Sequence, residues 1–181
     1  TVAESMGIEG RAAFYEQAGA IRDIFQNHLL QLVALTAMEP PIDFTADAVR
    51  NEKVKVLKAM HTPGPKSVVR GQYGPGWVAA TQVPGYRQEA DVDAASETET
   101  FVAARLTIDD WRWSGVPFYV RMGKRLPKRA TEIAIQFREV PHRLFRESAI
   151  DPDPNLLAIR IQPDEGIMLR FGAKVPGLGM A

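Results

Sequence analysis

The chain lacks cysteine, lacks an excess of either charge and lacks any long hydrophobic run. Without cysteine it can form neither disulfides nor cysteine-ligated zinc sites, which is typical of a reducing compartment. Its 22 basic and 22 acidic residues balance, whereas proteins whose main partner is nucleic acid usually carry a basic excess. The longest apolar stretch, residues 29–38, is interrupted by Gln31 and is far shorter than the roughly 18 residues of a membrane span. We therefore expect a cytoplasmic protein with neither nucleic acid nor membrane as a partner.

Length and composition are those of an ordinary globular protein. Hydrophobic residues make up 45% and charged residues 24% of the 181 residues, so neither a disordered nor a fibrous chain is indicated. This length suffices for a sizeable core. We predict a single domain over residues 1–181.

The order of sequence patterns predicts helices first and strands afterwards. A helix is expected over residues 14–38, where Glu39-Pro40-Pro41 ends it, and a second helix follows, capped by Thr45 or Asp47. Long surface loops are expected over residues 81–98. Strands are predicted at residues 101–108, 118–122, 131–137, 157–162 and 168–171. This order favours an α+β fold with a mainly antiparallel sheet.

Residues 21–32 place four polar side chains within an otherwise apolar helix, namely Asp23, Gln26, Asn27 and His28. Burying an unpaired amide or imidazole costs about 1–3 kcal/mol, so the run predicts a helix that lines a polar cavity or belongs to a networked core. From the pattern alone, a hydrogen-bonded core histidine is the favoured interpretation of His28. Asp23 lies five residues earlier, about 140° away around an α-helix, and is therefore predicted to be poorly placed to orient the His28 ring.

A basic turn follows one of the predicted strands. Residues 121–129 contain five cations and one glycine. Such a turn can gather donors around a phosphate, each charge-assisted bond contributing about 1.5–3 kcal/mol if desolvated. It can equally be a solvated surface turn, which is the favoured interpretation of a lone cluster.

Residues 74–79 match a loose Gly-x-Gly-x-x-Ala pattern. A dinucleotide-binding turn needs a strand before it and a helix opening within it. Pro75, followed by Pro84-Gly85, indicates a loop instead. We therefore expect no nucleotide site there.

Several blocks occur in a recognisable order and spacing. They are Glu9-Gly10-Arg11, Phe14-Tyr15, the polar run at 21–32, Ala37-Met38-Glu39-Pro40, residues 49–57, Gly71-Gln72-Tyr73, Gly115-Val116-Pro117-Phe118 and Arg121-Met122-Gly123-Lys124. Together they resemble the C-terminal domain of the glucose-6-phosphate dehydrogenases, and the polar run is similar to the active-site helix of that family. The resemblance covers essentially the whole chain. It implies helices packed on one face of a large, mostly antiparallel β-sheet, and a homo-oligomer formed through that sheet.

The resemblance also implies a reaction and its residues. Family members oxidise D-glucose 6-phosphate at carbon 1 to 6-phosphogluconolactone with NADP⁺. His28 matches the catalytic base of the family. The positions that match its substrate contacts are Glu4, Asp23, Lys124, Arg129 and Gln162. Among these, Asp23 and Glu4 are expected to accept hydrogen bonds from sugar hydroxyls.

Two parts of the family pattern are missing from the sequence. Family members begin with a Rossmann domain, followed by an Asp-His-Tyr-Leu-Gly-Lys motif, and neither is present. We therefore expect a truncated C-terminal domain that is inactive alone, with NADP bound mainly by the missing domain. Some members bind a second, structural NADP⁺ partly through cations on the strand after the basic turn. Ala130 and Ala134 stand where two of those cations would be, although Arg121 and Arg160 remain, so structural NADP is predicted to be absent.

Two other functions remain open. The chain can be a dimerisation module whose polar helix is only a satisfied core, in which case substituting His28 alters stability alone. It can also be a non-catalytic domain that binds a sugar phosphate. Such a domain would bind ligand but show no activity when joined to a Rossmann domain.

Overall fold

The computed structural model describes residues 1–139 and 153–173, and the chain divides into two compact units, Thr1–Arg129 and Ala130–Ala181. All helices among these residues lie in the first unit. The single domain expected over residues 1–181 stays a prediction. Across the described ranges, no helix combines the length and the apolar character needed to cross a membrane.

Three consecutive helical segments occupy most of the predicted first helix. They are α1 (Ala12–Ala20), a π-helix (Ile21–Leu29) and α2 (Leu30–Ala37). Gly19 interrupts α1 with φ 59° and ψ −179°, a left-handed φ that favours glycine. The helix ends at Ala37, before Glu39-Pro40-Pro41, as predicted.

The second predicted helix, α3 (Ala46–Ala59), begins after Thr45. The Thr45 hydroxyl accepts a hydrogen bond from the Ala48 backbone N–H at 3.4 Å, so Thr45 rather than Asp47 is the capping residue. A serine, threonine, asparagine or aspartate in this position satisfies a backbone donor that the first helical turn leaves unpaired.

The sheet of the first unit contains β1 (Val2–Ala3), β2 (Val68–Gly71), β5 (Phe101–Leu106) and β6 (Phe118–Gly123). Its strand order is β2-β5-β6-β1. The β2–β5 and β5–β6 pairs are antiparallel, and β1 pairs with β6 in parallel. A separate antiparallel hairpin is formed by β3 (Gly76–Val78) and β4 (Thr81–Val83).

The hairpin corrects two loop predictions. Strand β4 lies within the predicted loop at residues 81–98, so that part of the loop prediction is wrong. The turn consists of Ala79 and Ala80, both with positive φ (47° and 64°), in place of the Asn-Gly or Asp-Gly that normally signals such a turn. The loose glycine pattern at residues 74–79 contains strand β3 of the hairpin and not the loop that was expected, and the absence of a nucleotide site there stays a prediction.

The second unit contains β7 (Ala130–Gln136), β8 (Leu156–Gln162) and β9 (Gly166–Arg170), which pair in that order and are all antiparallel. The five predicted strands are thus observed within two residues at each end. The strands of both units are mostly antiparallel. The α+β prediction is confirmed.

The main core of the first unit lies between its helices and one face of its sheet. Side chains alternate along β5, where Val102, Ala104 and Leu106 are buried, the period of two expected of a strand with one buried face. They pack in one cluster with buried residues of the π-helix, α2 and α3, including Leu29 and Val56. The prediction that helices pack on one face of the sheet is therefore confirmed for this unit.

Candidate active site

Asp23 and His28 lie one helical turn apart, because the segment that carries them is a π-helix. The Leu30 N–H donates to the Phe25 carbonyl, five residues back. Since π-helices bond residues five apart, side chains at this spacing stand in successive turns of the same side of the helix. The predicted separation of about 140°, which assumed an α-helix, is wrong. Segments of π-helix occur frequently at functional sites.

The polar side chains of this segment face outward. Gln26, Asn27 and His28 are exposed and Asp23 is half-buried, while Ile24 and Leu29 are buried. The helix is therefore amphipathic. Of the two alternatives predicted, the networked core is wrong, and the polar cavity stays a prediction.

His28 is not a hydrogen-bonded core histidine either. Among residues 1–139 and 153–173, no hydrogen-bond partner is found for its imidazole. This leaves the ring open to a ligand on the solvent side of the π-helix.

Gly19 and Glu99 fix the start of the π-helix. One carboxylate oxygen of Glu99 accepts the Ile21 N–H at 3.0 Å, and its backbone carbonyl accepts the Ala20 N–H at 2.9 Å. A Cβ at Gly19 would lie 2.6 Å from the same carboxylate oxygen, Oε1. The glycine therefore admits the carboxylate that satisfies the first N–H of the segment carrying Asp23 and His28. Glu99 was not predicted from the sequence as a residue of the site. The only local signal of this contact was Gly19, a glycine inside the predicted helix.

Glu4 and Lys124 meet because of the one parallel strand pair in the sheet of the first unit. Ala3, the last residue of β1, is opposite Gly123, the last residue of β6, so the following residues leave the sheet side by side. Lys124 Nζ donates to Glu4 Oε2 at 2.7 Å, and only 1% of the Lys124 side chain is exposed. The solvated-turn interpretation is therefore wrong for Lys124. The structure brings together two of the sequence-predicted substrate contacts.

Tyr15 lies beneath this ion pair. Lys124 Nζ stands 5.4 Å from the centroid of the Tyr15 ring, within the range of a cation–π interaction. Burial raises the pKa of the Tyr15 phenol far above its ordinary value, and the negative charges of Asp23, Glu99 and Glu4 add to this effect. The phenol is thus protonated near neutral pH and keeps a hydrogen that is available for donation, under the influence of three carboxylates. Sequence reasoning did not select Tyr15 as a site residue.

The two remaining predicted contacts lie at the ends of their segments. Arg129 is exposed and is the last residue of the first unit, and Gln162 is exposed and is the last residue of β8 in the second unit. Their roles stay predictions. Over the part of the chain that the structure describes, no group of three or more histidine, aspartate or glutamate side chains could hold a metal ion.

Comparison with known proteins agrees with this geometry. The family profile described as "Glucose-6-phosphate dehydrogenase, C-terminal domain" matches residues 1–181. Glucose-6-phosphate 1-dehydrogenase from Dickeya dadantii is 50% identical over 182 residues, covering 98% of this chain and 37% of that protein. The enzyme of the same name from Bacillus subtilis is 49% identical over 181 residues, with coverage of 98% and 37%.

Solved structures show the same likeness. The crystal structure of glucose-6-phosphate 1-dehydrogenase from Mycobacterium avium has a TM-score of 0.86 at 44% identity, covering 96% of this chain and 36% of that one. A glucose-6-phosphate dehydrogenase in complex with its substrate glucose-6-phosphate has a TM-score of 0.87 at 42% identity, with coverage of 98% and 35%. The chain thus spans little more than a third of the length of these proteins. On the evidence of its fold, its site and these matches, the chain belongs to the glucose-6-phosphate dehydrogenase C-terminal domain family.

Proposed function

We propose that this chain supplies the substrate-binding part of a glucose-6-phosphate dehydrogenase. The reaction oxidises D-glucose 6-phosphate at carbon 1 to 6-phosphogluconolactone with NADP⁺, the first step of the oxidative pentose phosphate pathway. The names of the relatives support this proposal. The structural observation that carries it is the buried Glu4–Lys124 pair, which holds a cation and a carboxylate side by side at the end of the sheet.

The proton chemistry is assigned to His28. Oxidation of a hemiacetal requires a base for the hydroxyl proton while hydride leaves the same carbon. A histidine suits this role because its ordinary pKa lies near neutral pH, and a positioned base typically contributes about 10²–10⁴-fold. The exposed imidazole on the π-helix accepts the proton of the carbon 1 hydroxyl.

The other site residues bind and orient the sugar. Asp23, one π-helical turn from His28, accepts a hydrogen bond from a sugar hydroxyl. Glu4 accepts from another hydroxyl. Lys124 and Arg129 donate to oxygens of the sugar phosphate, and the substrate contact of Gln162 stays an expectation from the family resemblance. The Lys124 ammonium has three N–H donors, of which one reaches Glu4, so the lysine can donate to the ligand while it keeps this bond.

The residues of this chain that contact NADP⁺ are not assigned. The only sequence pattern reminiscent of a dinucleotide turn, at residues 74–79, leads into the β3–β4 hairpin. NADP⁺, which supplies the hydride acceptor, is therefore proposed to bind mainly to a Rossmann domain outside this chain. The absence of structural NADP stays a prediction, which rests on Ala130 and Ala134 in β7.

A second function, assembly through the sheet, is supported by apolar side chains on its open face. Tyr119 in β6 is 74% exposed and Val69 in β2 is 63% exposed. In the second unit, Ile167 and Leu169 of β9 are exposed as well. We propose that two copies of the protein pair through these strands to form a cytoplasmic homo-oligomer. In the intact enzyme this function and catalysis are compatible.

Calorimetric titration of glucose 6-phosphate into the chain tests the proposed function. Binding stronger than that of inorganic phosphate, and weakened by His28→Ala, supports a sugar-phosphate site on the π-helix. A matched control is His61→Ala, which removes another exposed histidine, paired with Asp109 at 2.6 Å, and should leave binding unchanged.

The outcomes of the titration separate the candidate functions. Failure of a folded chain to distinguish glucose 6-phosphate from inorganic phosphate would contradict the proposal for this chain. If the chain binds glucose 6-phosphate but His28→Ala leaves that binding unchanged, a non-catalytic binding domain is favoured. If the folded chain does not bind glucose 6-phosphate and His28→Ala changes stability alone, the assembly function remains. The isolated chain should not reduce NADP⁺ in the presence of glucose 6-phosphate.

A further inference from the structure

Tyr15 differs from the two tyrosines that pack with it. Tyr86 contacts Tyr15 and Tyr73 edge to face, with ring centroids 5.9 and 5.7 Å apart. The Tyr86 hydroxyl donates to Glu16, and the Tyr73 hydroxyl donates to Glu89 at 2.9 Å. Tyr15 is only 1% exposed, yet its hydroxyl has no hydrogen-bond partner among the described residues. A buried hydroxyl without a partner opposes folding, so its retention calls for an explanation.

Asp23, on the π-helix that follows α1, is an acceptor without a donor. The Asp23 carboxylate is half-buried, and over residues 1–139 and 153–173 nothing donates a hydrogen bond to it. Of the charged groups that act on the Tyr15 phenol, Asp23 exerts the largest effect. The protonated Tyr15 phenol can thus donate a hydrogen bond, and the Asp23 carboxylate can accept one. The two groups are not bonded to each other in the free chain.

Tyr15 also contacts the other half of the candidate site. Its ring lies under Lys124 Nζ, and Lys124 is bonded to Glu4. A ligand that draws Lys124 and Glu4 apart therefore rearranges the groups packed on the Tyr15 ring. Tyr15 therefore packs against the ion pair at the end of the sheet and has an unpaired hydroxyl that feels the charge of the carboxylate on the π-helix.

Resting on the proposed function, we propose that Tyr15 is a positioning residue that acts through Asp23. When a sugar phosphate binds, the Tyr15 hydroxyl donates a hydrogen bond to the Asp23 carboxylate and holds it toward a sugar hydroxyl. The hydroxyl is thus left unpaired in the free chain and becomes paired in the complex. This role differs from that of His28, because Tyr15 does not itself touch the reacting atoms.

The test is Tyr15→Phe, which removes one oxygen and keeps the ring under Lys124. Because the hydroxyl is unpaired in the free chain, the substitution should raise the urea midpoint of unfolding without ligand. Because the hydroxyl is paired in the complex, the affinity for glucose 6-phosphate should fall about tenfold, the effect of roughly one hydrogen bond. A purely structural residue would not change the two quantities in these opposite directions.

Tyr86→Phe is the matched control. It removes a hydroxyl from the same aromatic cluster, but one already bonded to Glu16 in the free chain. It should therefore lower the urea midpoint and leave the affinity for glucose 6-phosphate unchanged.

A double-mutant cycle tests whether Tyr15 acts through Asp23. Asp23→Ala should weaken binding, and adding Tyr15→Phe to it should change the affinity by less than twofold, because the acceptor is already gone. If the fold-losses of affinity caused by Asp23→Ala and Tyr15→Phe instead multiply in the double variant, the two residues act independently and the proposed role is overturned.

Two further outcomes separate this inference from the proposed function. If the wild-type chain binds glucose 6-phosphate, and Tyr15→Phe either binds equally well or has a lower urea midpoint, the role of Tyr15 is refuted and the proposed function stands. If the folded wild-type chain binds glucose 6-phosphate no better than inorganic phosphate, both are refuted.

Discussion

Lys124 donates a hydrogen bond to Glu4 at 2.7 Å, although 120 residues of sequence separate them. The contact depends on the parallel pairing of β1 with β6, which sets Ala3 opposite Gly123. The backbone supports it, since the Glu4 N–H donates to the Gly123 carbonyl and the Lys124 N–H donates to the Thr100 carbonyl. The position of both charged groups is therefore fixed by the ends of strands.

Removing the cation of this pair should destabilise the chain. Lys124→Ala leaves the Glu4 carboxylate largely buried without its partner, which costs about 3 kcal/mol in comparable buried pairs. Urea denaturation measures the loss. Lys128→Ala, an exposed lysine in the same turn, should change the free energy of unfolding by less than about 0.5 kcal/mol. Equal effects of the two substitutions would contradict the importance of the pair.

Substituting Gly19 should disturb both the fold and the site. Gly19→Ala places a Cβ 2.6 Å from Glu99 Oε1 at a φ of 59°, so we expect a loss of about 1–3 kcal/mol. It should also weaken glucose 6-phosphate binding, because Glu99 holds the start of the π-helix.

Gly64→Ala is the control for this substitution. Gly64 has φ −72°, and no atom lies within 4 Å of the position that a Cβ would occupy, so its replacement should be neutral or slightly stabilising. Urea denaturation and calorimetry of both variants provide the measurements. A Gly19→Ala chain as stable as Gly64→Ala would refute the account of the π-helix start.

The buried tyrosines should make the chain sensitive to alkali. Burial raises the pKa of Tyr15, Tyr73 and Tyr86 above the ordinary value of about 10. Because the folded state holds these protons more tightly than the unfolded state, this contribution to stability is complete below about pH 10 and is lost as pH rises further. In an alkaline titration followed by tyrosinate absorbance, these three tyrosines should ionise only as the chain unfolds. Reversible ionisation of all tyrosines near pH 10 in a folded chain would contradict this.

The exposed face of the sheet should control assembly. Tyr119→Glu places a charge on that face and should convert an oligomeric chain into monomers without unfolding it, because Tyr119 is largely exposed. Analytical ultracentrifugation provides the measurement. Trp111→Ser, which removes a fully exposed aromatic from a loop, should leave the oligomeric state unchanged. Monomers in the wild-type chain would refute sheet-mediated pairing.

Local signals in the sequence predicted much of the fold. Glu39-Pro40-Pro41 ended a helix, Thr45 capped the next one, and β-branched and aromatic residues predicted β5 to β9. Strands β1 and β2 were missed because they are short and take their stability from neighbours that are distant in sequence. The hairpin turn at Ala79 and Ala80 was missed because alanine does not normally signal positive φ.

The site was less predictable because its geometry depends on two non-local features. Over the nine residues Ile21–Leu29, the apolar pattern does not distinguish an α-helix, whose N–H groups bond four residues back, from a π-helix, whose N–H groups bond five residues back. The π-helix, and the placement of Asp23 one turn from His28, could therefore not be predicted from the sequence spacing. Nothing near Glu4 in the sequence indicated Lys124 as its partner. The family resemblance selected both residues, and the topology then explained why they meet.

The internal Glu4–Lys124 pair also bears on ligand discrimination. An anion that draws Lys124 away from Glu4 leaves the largely buried Glu4 carboxylate without a cation. Inorganic phosphate at neutral pH satisfies the lysine but offers few donors to that carboxylate. A sugar phosphate brings an anion for the lysine and hydroxyl donors for the glutamate in one molecule. We therefore expect the resting ion pair to favour a ligand that carries both an anion and hydroxyl donors over a ligand that carries an anion alone.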